Sequence, residues 1–89
     1  MENTSADTTA HKSIVIIDDD TLLLGNLQEY FAERGYSVQI ADTGEKGLEM
    51  ILATHPSAIL LDILLPMMSG MDILKVLQEK MPDLLQHVL

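Results

Sequence analysis

The chain alternates between short apolar runs and longer stretches in which apolar residues recur every three or four positions. The apolar runs are Ile14–Ile17, Val38–Ile40 and Ala58–Leu61, and their length and β-branched content are typical of strands. The first run has no polar alternation, which indicates a strand covered on both faces. Because helical stretches separate the runs, the pattern predicts an α/β fold with a parallel sheet and right-handed crossovers.

The stretch after the first run predicts a helix from Thr21 to about Arg34. Asp20 is a suitable N-cap, because its carboxylate can accept a hydrogen bond from a free backbone N–H of the first turn. Gly35 is the expected left-handed stop. The residues expected to face inward are Leu23, Leu24, Leu27, Tyr30 and Phe31.

Two further helices are predicted, over Gly44 to about Thr54 and over Gly70 to about Lys80. Asp42 or Thr43 would cap the former and Ser69 the latter. Leu48, Ile51 and Leu52 would face inward from the former, and Ile73, Leu74 and Leu77 from the latter. Methionine adapts to irregular gaps, so we interpret nearby Met67, Met68 and Met71 as core residues.

The two ends of the chain give weaker patterns. Residues 1–12 are small and polar without periodicity, which predicts a mobile tail. His87–Leu89 reads as the start of a fourth strand. Without its remainder, the third strand would be an apolar edge that invites pairing with another chain. Four apolar residues would also lack cover, namely Leu84, Leu85, Val88 and Leu89.

Acidic residues follow two of the predicted strands directly. Asp18 and Asp19 come after the first strand and Asp62 after the third. Asp62 alone could simply cap a strand end or start a turn. Parallel neighbouring strands, however, would bring all three carboxylates to one edge, where ligands bind in open α/β sheets. Such carboxylates repel each other unless a cation lies between them, and Mg²⁺ prefers oxygen ligands of this kind.

The charge balance narrows the classes of partner. Acids outnumber Lys and Arg by 14 to 5, giving a formal net charge of −9, which argues against contact with nucleic acid and favours cations or a basic partner surface. Cysteine is absent, which is in keeping with a cytoplasmic protein. No signal peptide is visible, and the apolar segment around Asp62 is too short to span a membrane.

Three motifs together carry a family resemblance. They are Ile-Val-Ile-Ile-Asp-Asp-Asp, then Ala-Asp-Thr-Gly-Glu-Lys-Gly-Leu, then Ile-Leu-Leu-Asp-Ile-Leu-Leu-Pro-Met-Met-Ser-Gly-Met-Asp. In this order and spacing, residues 13–89 resemble the N-terminal two-thirds of a receiver domain of bacterial two-component response regulators. The resemblance implies a flavodoxin-like parallel sheet of order 2-1-3 with helices on both faces.

The resemblance also implies roles for particular residues. Asp62 would accept a phosphoryl group from a sensor histidine kinase, with Mg²⁺ as cofactor. Asp62 and Asp19 would bind the metal directly, Asp18 through water, and Leu64 through its backbone carbonyl. The family's fourth strand ends in a Ser or Thr and its fifth in a Lys, and neither lies within these 89 residues. The resemblance thus implies a signalling module rather than an enzyme, with phosphoryl transfer expected to be impaired.

Two other hypotheses stand beside this one. In the first, the chain is an interaction module that forms a homodimer or domain swap through the edge of the third strand, without phosphotransfer. In the second, the chain is an enzyme fragment of the haloacid dehalogenase type, which opens with Asp-x-Asp-x-Thr. Asp18-Asp19-Asp20-Thr21 comes close to that motif, but its threonine belongs at position 22, which is Leu22. Isolated motif matches of this kind are often false.

Overall fold

The computed structural model describes residues 12–65 and 67–88, without the side chains of residues 85 and 86. The predicted tail over residues 1–12 lies outside this part except for Lys12, whose carbonyl accepts a hydrogen bond from the Ser37 N–H at 2.8 Å. The elements in chain order are β1 (Ser13–Ile17), α1 (Thr21–Ala32), β2 (Ser37–Ala41), α2 (Gly44–Thr54), β3 (Ala58–Leu61), α3 (Gly70–Lys80) and a 3-10 helix (Pro82–His87).

The three strands form one parallel sheet in the order β2-β1-β3. At the carboxyl ends of the strands, Ile17 lies between Ala41 of β2 and Leu61 of β3. The predicted α/β fold with order 2-1-3 is therefore confirmed. Because all three strands run the same way, the residues that follow Ile17 and Leu61 leave the sheet side by side.

A reciprocal set of hydrogen bonds joins β1 and β3 at the opposite end of the sheet. The Ser13 N–H donates to Ser57 Oγ at 3.0 Å, and the Ser57 N–H lies 3.1 Å from Ser13 Oγ. The Ser57 N–H also lies 2.9 Å from the Ser13 carbonyl. These contacts join residues 44 positions apart in the sequence and fix the register of the two strands where they begin.

Helices cover both faces of the sheet, as the unbroken apolar pattern of β1 predicts. Ile14 and Ile16 are buried on the face that carries α1 and its Leu24. Val15 and Ile17 are buried on the other face, against α2 and α3. The α2 and α3 residues buried there are Ile51, Ile73 and Leu77.

The predicted helix ends are mostly confirmed. Asp20 caps α1 by accepting from the Leu23 N–H at 3.1 Å. Thr43, rather than Asp42, caps α2 by accepting from the Lys46 N–H at 3.2 Å. Ser69 and Asp72 form a capping box at the start of α3. Helix α1 ends at Ala32, two residues before the predicted limit, and Gly35 has the expected positive φ of 91°.

Two of the predicted inward residues of α1 are at the surface. Leu24 is fully buried and Leu27 and Phe31 partly so, whereas Leu23 is 39% and Tyr30 49% exposed. The Tyr30 ring instead supports the Arg34 guanidinium, which lies 3.6 Å from the ring centroid. The sheet therefore buries only part of the apolar surface of α1.

The C-terminal part matches the predicted start of a fourth strand only at Val88. His87 belongs to the 3-10 helix, while Val88 forms a parallel bridge with Ile59 at the outer edge of β3. Leu84 is buried in the core, because the 3-10 helix packs against α3 and β3, and Val88 packs against the same core. The expectation that these two residues lack cover was therefore wrong. Leu89 and the side chain of Leu85 lie outside the described residues.

The methionine prediction was right for one residue of three. Met68 packs against the core, whereas Met67 is 98% and Met71 54% exposed. Met71 lies two positions before the buried Ile73, which places it on the outer side of α3. Met67 adopts a left-handed backbone conformation with φ of 67°.

Replacing Met67 with glycine is expected to stabilise the fold by about 1 kcal/mol, because a left-handed conformation strains a residue with a Cβ atom but not glycine. The exposed side chain offers almost no packing to lose. Chemical denaturation measures the change. Met71→Gly is the matched control and should destabilise by about 1 kcal/mol, since it puts glycine inside a helix. A loss of stability in Met67→Gly would contradict the prediction.

Candidate functional site

The ends of β1 and β3 hold two aspartates at adjacent positions. Backbone hydrogen bonds continue the sheet for one residue past each strand. The Asp62 N–H donates to the Ile17 carbonyl at 2.9 Å, and the Asp18 N–H donates to the Ala41 carbonyl at 3.1 Å. Both backbones are thereby fixed at the same edge of the sheet, where ligand sites of open α/β folds lie.

The three predicted acids come together at this edge. Asp18, Asp19 and Asp62 each offer one carboxylate oxygen, and these oxygens lie within 4.8 Å of one another. Asp18 and Asp62 are half-buried and Asp19 is exposed. The neighbouring Asp20 caps α1 instead, as the sequence indicates.

Two Asx-type turns orient the half-buried carboxylates. Asp18 Oδ1 accepts from the Asp20 N–H at 3.0 Å, and Asp62 Oδ1 accepts from the Leu64 N–H at 3.0 Å. Each hydrogen bond occupies one oxygen of the carboxylate and leaves the other oxygen available to bind a ligand. A turn beginning at Asp62 is one of the alternatives that the sequence left open, and aspartate commonly bonds the backbone two residues further on.

The charge of the cluster is not balanced by basic side chains of the described chain. Within residues 12–65 and 67–88, the ion pair that forms joins Lys46 Nζ to Asp42 Oδ1, which lie 3.2 Å apart at the surface. Mg²⁺ coordinates oxygens at 2.0–2.1 Å, which places neighbouring ligand oxygens about 3 Å and opposite ones about 4 Å apart. An all-oxygen set spanning at most 4.8 Å fits a hard cation with a small adjustment of side chains.

The loop after β3 is anchored close to the cluster. The Gly70 N–H donates to the Ile63 carbonyl at 3.0 Å. A Cβ atom on Gly70 would lie 2.7 Å from Ile63 Cα and 2.9 Å from the Asp62 carbonyl oxygen. This close approach brings the start of α3 against the segment that carries Asp62 and Leu64. Leu64 itself is 85% exposed.

Comparison with a family model gives a match over almost the whole described chain. Residues 14–88 match the response regulator receiver domain. Among curated proteins, the response regulator MprA of Mycolicibacterium vanbaalenii is 31% identical over 71 residues, which cover 80% of this chain and 31% of that protein. MprA of Mycobacterium tuberculosis is 32% identical over 71 residues, with the same coverage. The chain thus spans about a third of the length of these curated relatives.

Solved structures give the same fold. A CheY-like receiver domain protein from Methanospirillum hungatei superposes with a TM-score of 0.76 at 37% identity, covering 80% of this chain and 57% of that one. TrrA from Thermotoga maritima, solved in complex with Mg²⁺ and BeF, has a TM-score of 0.76 at 29% identity, covering 81% and 63%. The chain spans about three fifths of these receivers.

The sheet order, the acidic cluster and the family match agree with one another. The flavodoxin-like arrangement of β2-β1-β3 is the one found in the receiver structures. No helix in the described part of the chain is long and apolar enough to cross a membrane. The chain belongs to the response regulator receiver domain family of two-component systems.

Proposed function

We propose that this receiver domain accepts a phosphoryl group on Asp62 from a phosphohistidine of a sensor histidine kinase. The observation that carries the proposal is the acidic cluster at the strand ends, with a carboxylate oxygen of Asp62 within 4.8 Å of oxygens of Asp18 and Asp19. Asp62 is half-buried and held by the Leu64 N–H, so its second oxygen can act as a fixed nucleophile.

The transfer exchanges one bond for another. An Asp62 carboxylate oxygen attacks phosphorus, and a P–O bond forms as the P–N bond to the kinase histidine breaks. The electron pair of that bond stays on the imidazole nitrogen, which then takes up a proton. The product is an aspartyl phosphate. Because an anion attacks an anion, positioning and charge compensation set the rate.

Charge compensation is assigned to Mg²⁺. Asp62 and Asp19 would bind the ion directly, Asp18 through a water molecule, and Leu64 through its backbone carbonyl. The bound ion would neutralise charge on the phosphoryl oxygens. The acids that would hold it lack basic partners among the described residues, which is the charge pattern expected of a cation site.

Further parts of the proposal concern the cellular setting. We propose that the chain acts in the cytoplasm as a non-enzymatic signalling module, apart from membrane and nucleic acid. A net charge of −9 favours a partner with a basic surface.

The transfer of the phosphoryl group to the 89-residue chain is expected to be slow, since no Lys or Arg of the described residues forms an ion pair with Asp18, Asp19 or Asp62.

Labelling with acetyl phosphate tests the function directly. In the presence of Mg²⁺, mass spectrometry of the intact chain should show one added phosphoryl group, and peptide mapping should place it on Asp62. Adding a chelator should remove the signal. Labelling that maps to another residue, or that is indifferent to the chelator, would contradict the proposal.

Two adjacent substitutions test the metal ligands. Asp19→Asn should lower the labelling rate tenfold or more at a fixed Mg²⁺ concentration, because it removes a charged ligand. Asp20→Asn should leave the rate within about twofold, since asparagine caps a helix nearly as well as aspartate. Equal effects of the two substitutions would argue against the assigned ligand set.

A further inference from the structure

Strand β2 forms one edge of the sheet. Its inner side pairs with β1 along its whole length, from Ser37 to Ala41, and no other strand of the described chain pairs with its outer side. The outer side of β3, by contrast, is bridged by Val88 at Ile59. In flavodoxin-like sheets of order 2-1-3-4-5, β2 is an edge strand whatever follows β3. The open side of β2 is therefore a feature of the fold itself.

The outward backbone groups of this edge belong to Val38 and Ile40. The Ala41 carbonyl accepts a hydrogen bond from the Asp18 N–H at 3.1 Å, so the backbone groups of Ala41 point toward β1. Successive residues of a strand turn their backbone groups to alternate sides of the strand. The N–H and C=O groups of Val38 and Ile40 therefore point away from β1, toward the position that a further strand would take.

β2 carries none of the features that usually protect an edge strand. Such edges are commonly blocked by charged side chains, by proline or by a bulge. The sequence Ser-Val-Gln-Ile-Ala has neither charge nor proline, and it pairs with β1 one residue to one residue without a bulge. A cleft of about 380 Å³ beside this edge, whose lining includes Leu24, Ile40 and Met50, adds apolar surface. The edge is therefore suited to accept another strand.

The charges at the two ends of β2 favour an antiparallel partner with the same charges. Lys12 and Arg34 lie at the amino end of β2, with Glu33 as the acid beside them. Asp42 follows the carboxyl end, where Lys46 pairs with it, and the acidic cluster lies one strand further in. The amino end is thus positive and the carboxyl end negative. A second copy in antiparallel orientation brings unlike ends together, whereas a parallel copy would bring like ends together.

We propose that two copies of the chain pair antiparallel through the outer edges of β2, about a two-fold axis at Gln39, and join their three-stranded sheets into one of six strands. In this register Val38 of each copy faces Ile40 of the other, and their outward backbone groups form four hydrogen bonds. The two Gln39 side chains face each other. The acidic clusters lie at opposite ends of the joined sheet, which keeps them apart. The inference does not depend on phosphoryl transfer.

Disulfide crosslinking tests the register of this pair. The chain has no cysteine, so one introduced thiol reports on one position. Facing residues at Gln39 would have Cα atoms about 4.5 Å apart, which suits a disulfide. The two copies of Ser37 would lie about 14 Å apart, since they are four residues apart along the strands. Gln39→Cys is expected to give a disulfide-linked dimer on mild oxidation with diamide, and Ser37→Cys, also exposed on the same face, is expected to give none.

A matched pair of lysine substitutions tests the same interface without a covalent bond. Sedimentation equilibrium of the unsubstituted chain should show a monomer–dimer equilibrium at micromolar to millimolar concentrations. Gln39→Lys sets two like charges opposite each other and should weaken dimerisation at least tenfold. Ser37→Lys makes the same change of charge but faces Ala41 of the other copy, so it should leave dimerisation within twofold. Circular dichroism verifies that both variants fold.

Amide hydrogen exchange gives a readout that needs no substitution. The Val38 and Ile40 N–H groups should exchange more slowly as the protein concentration rises. Slow exchange that is independent of concentration would make a segment of the same chain the occupant of the edge. A monomer at millimolar concentration would overturn the inference, as would equal crosslinking of the two cysteine variants. A dimer that Gln39→Lys leaves intact would place the interface elsewhere, such as the outer side of β3 beside Ile59 and Val88.

Discussion

Asp62→Asn is expected to abolish phosphoryl incorporation from acetyl phosphate. Asparagine has nearly the same shape, and its Oδ1 can still accept the Leu64 N–H that Asp62 accepts at 3.0 Å. It has no anionic oxygen with which to attack phosphorus. The loss should therefore be complete while the fold is unchanged.

Asp83→Asn is the matched control for this substitution. Asp83 is exposed on the 3-10 helix, which precedes the bridge to β3 rather than the acidic edge of the sheet. Its substitution makes the same change of charge and should leave labelling unaltered. Mass spectrometry gives the labelled fraction and thermal denaturation verifies the fold. If Asp62→Asn were labelled as fast as the unsubstituted chain, a residue other than Asp62 would be the acceptor.

Gly70→Ala is expected to destabilise the domain by about 1–3 kcal/mol, the usual cost of forcing an extra methyl group into a packed site. The new Cβ would lie 2.7 Å from Ile63 Cα and 2.9 Å from the Asp62 carbonyl oxygen. Both are backbone atoms, so relief requires the segment after β3 to move. Labelling at Asp62 should fall with stability, because that segment carries the acceptor.

Gly25→Ala is the corresponding control within α1. A Cβ at this position meets no atom within 4 Å apart from its chain neighbours and the backbone of its own helix, so the change only removes glycine from the interior of a helix. It should stabilise by about 0.5–1 kcal/mol. Urea denaturation of both variants measures the difference. If Gly70→Ala were as stable as Gly25→Ala, the close approach of α3 to Asp62 would not be a constraint.

The parallel strands and the acids at their ends could be predicted from local patterns, whereas the strand order was implied by the family resemblance. Apolar runs that end in aspartate define strands, and parallel strands bring their ends to one edge. The grouping of Asp18, Asp19 and Asp62 needed one further fact, that β1 and β3 are neighbours, which the strand order of the family implies. The caps Asp20 and Ser69 are equally local, since each bonds a backbone N–H three residues further on.

The structure differs from the sequence-based predictions at residues whose burial depends on how elements distant in the sequence pack together. The exposure of Leu23 follows from the position of α1 over β2 and β1, which the helix sequence alone does not encode. Leu84 is buried because the 3-10 helix packs against α3 and β3, and this packing is not visible in the local sequence. Met67 is exposed in a left-handed conformation, although methionine is usually a core residue.

The paired serines at the start of the sheet have a consequence for inherited variation. Ser13 and Ser57 align β1 with β3 at the end farthest from Asp18 and Asp62. A shift of one residue in a strand turns its side chains to the opposite face. A substitution at Ser13 removes its Oγ contact with the Ser57 N–H far from both acids, and a screen confined to the acidic edge would miss such an allele.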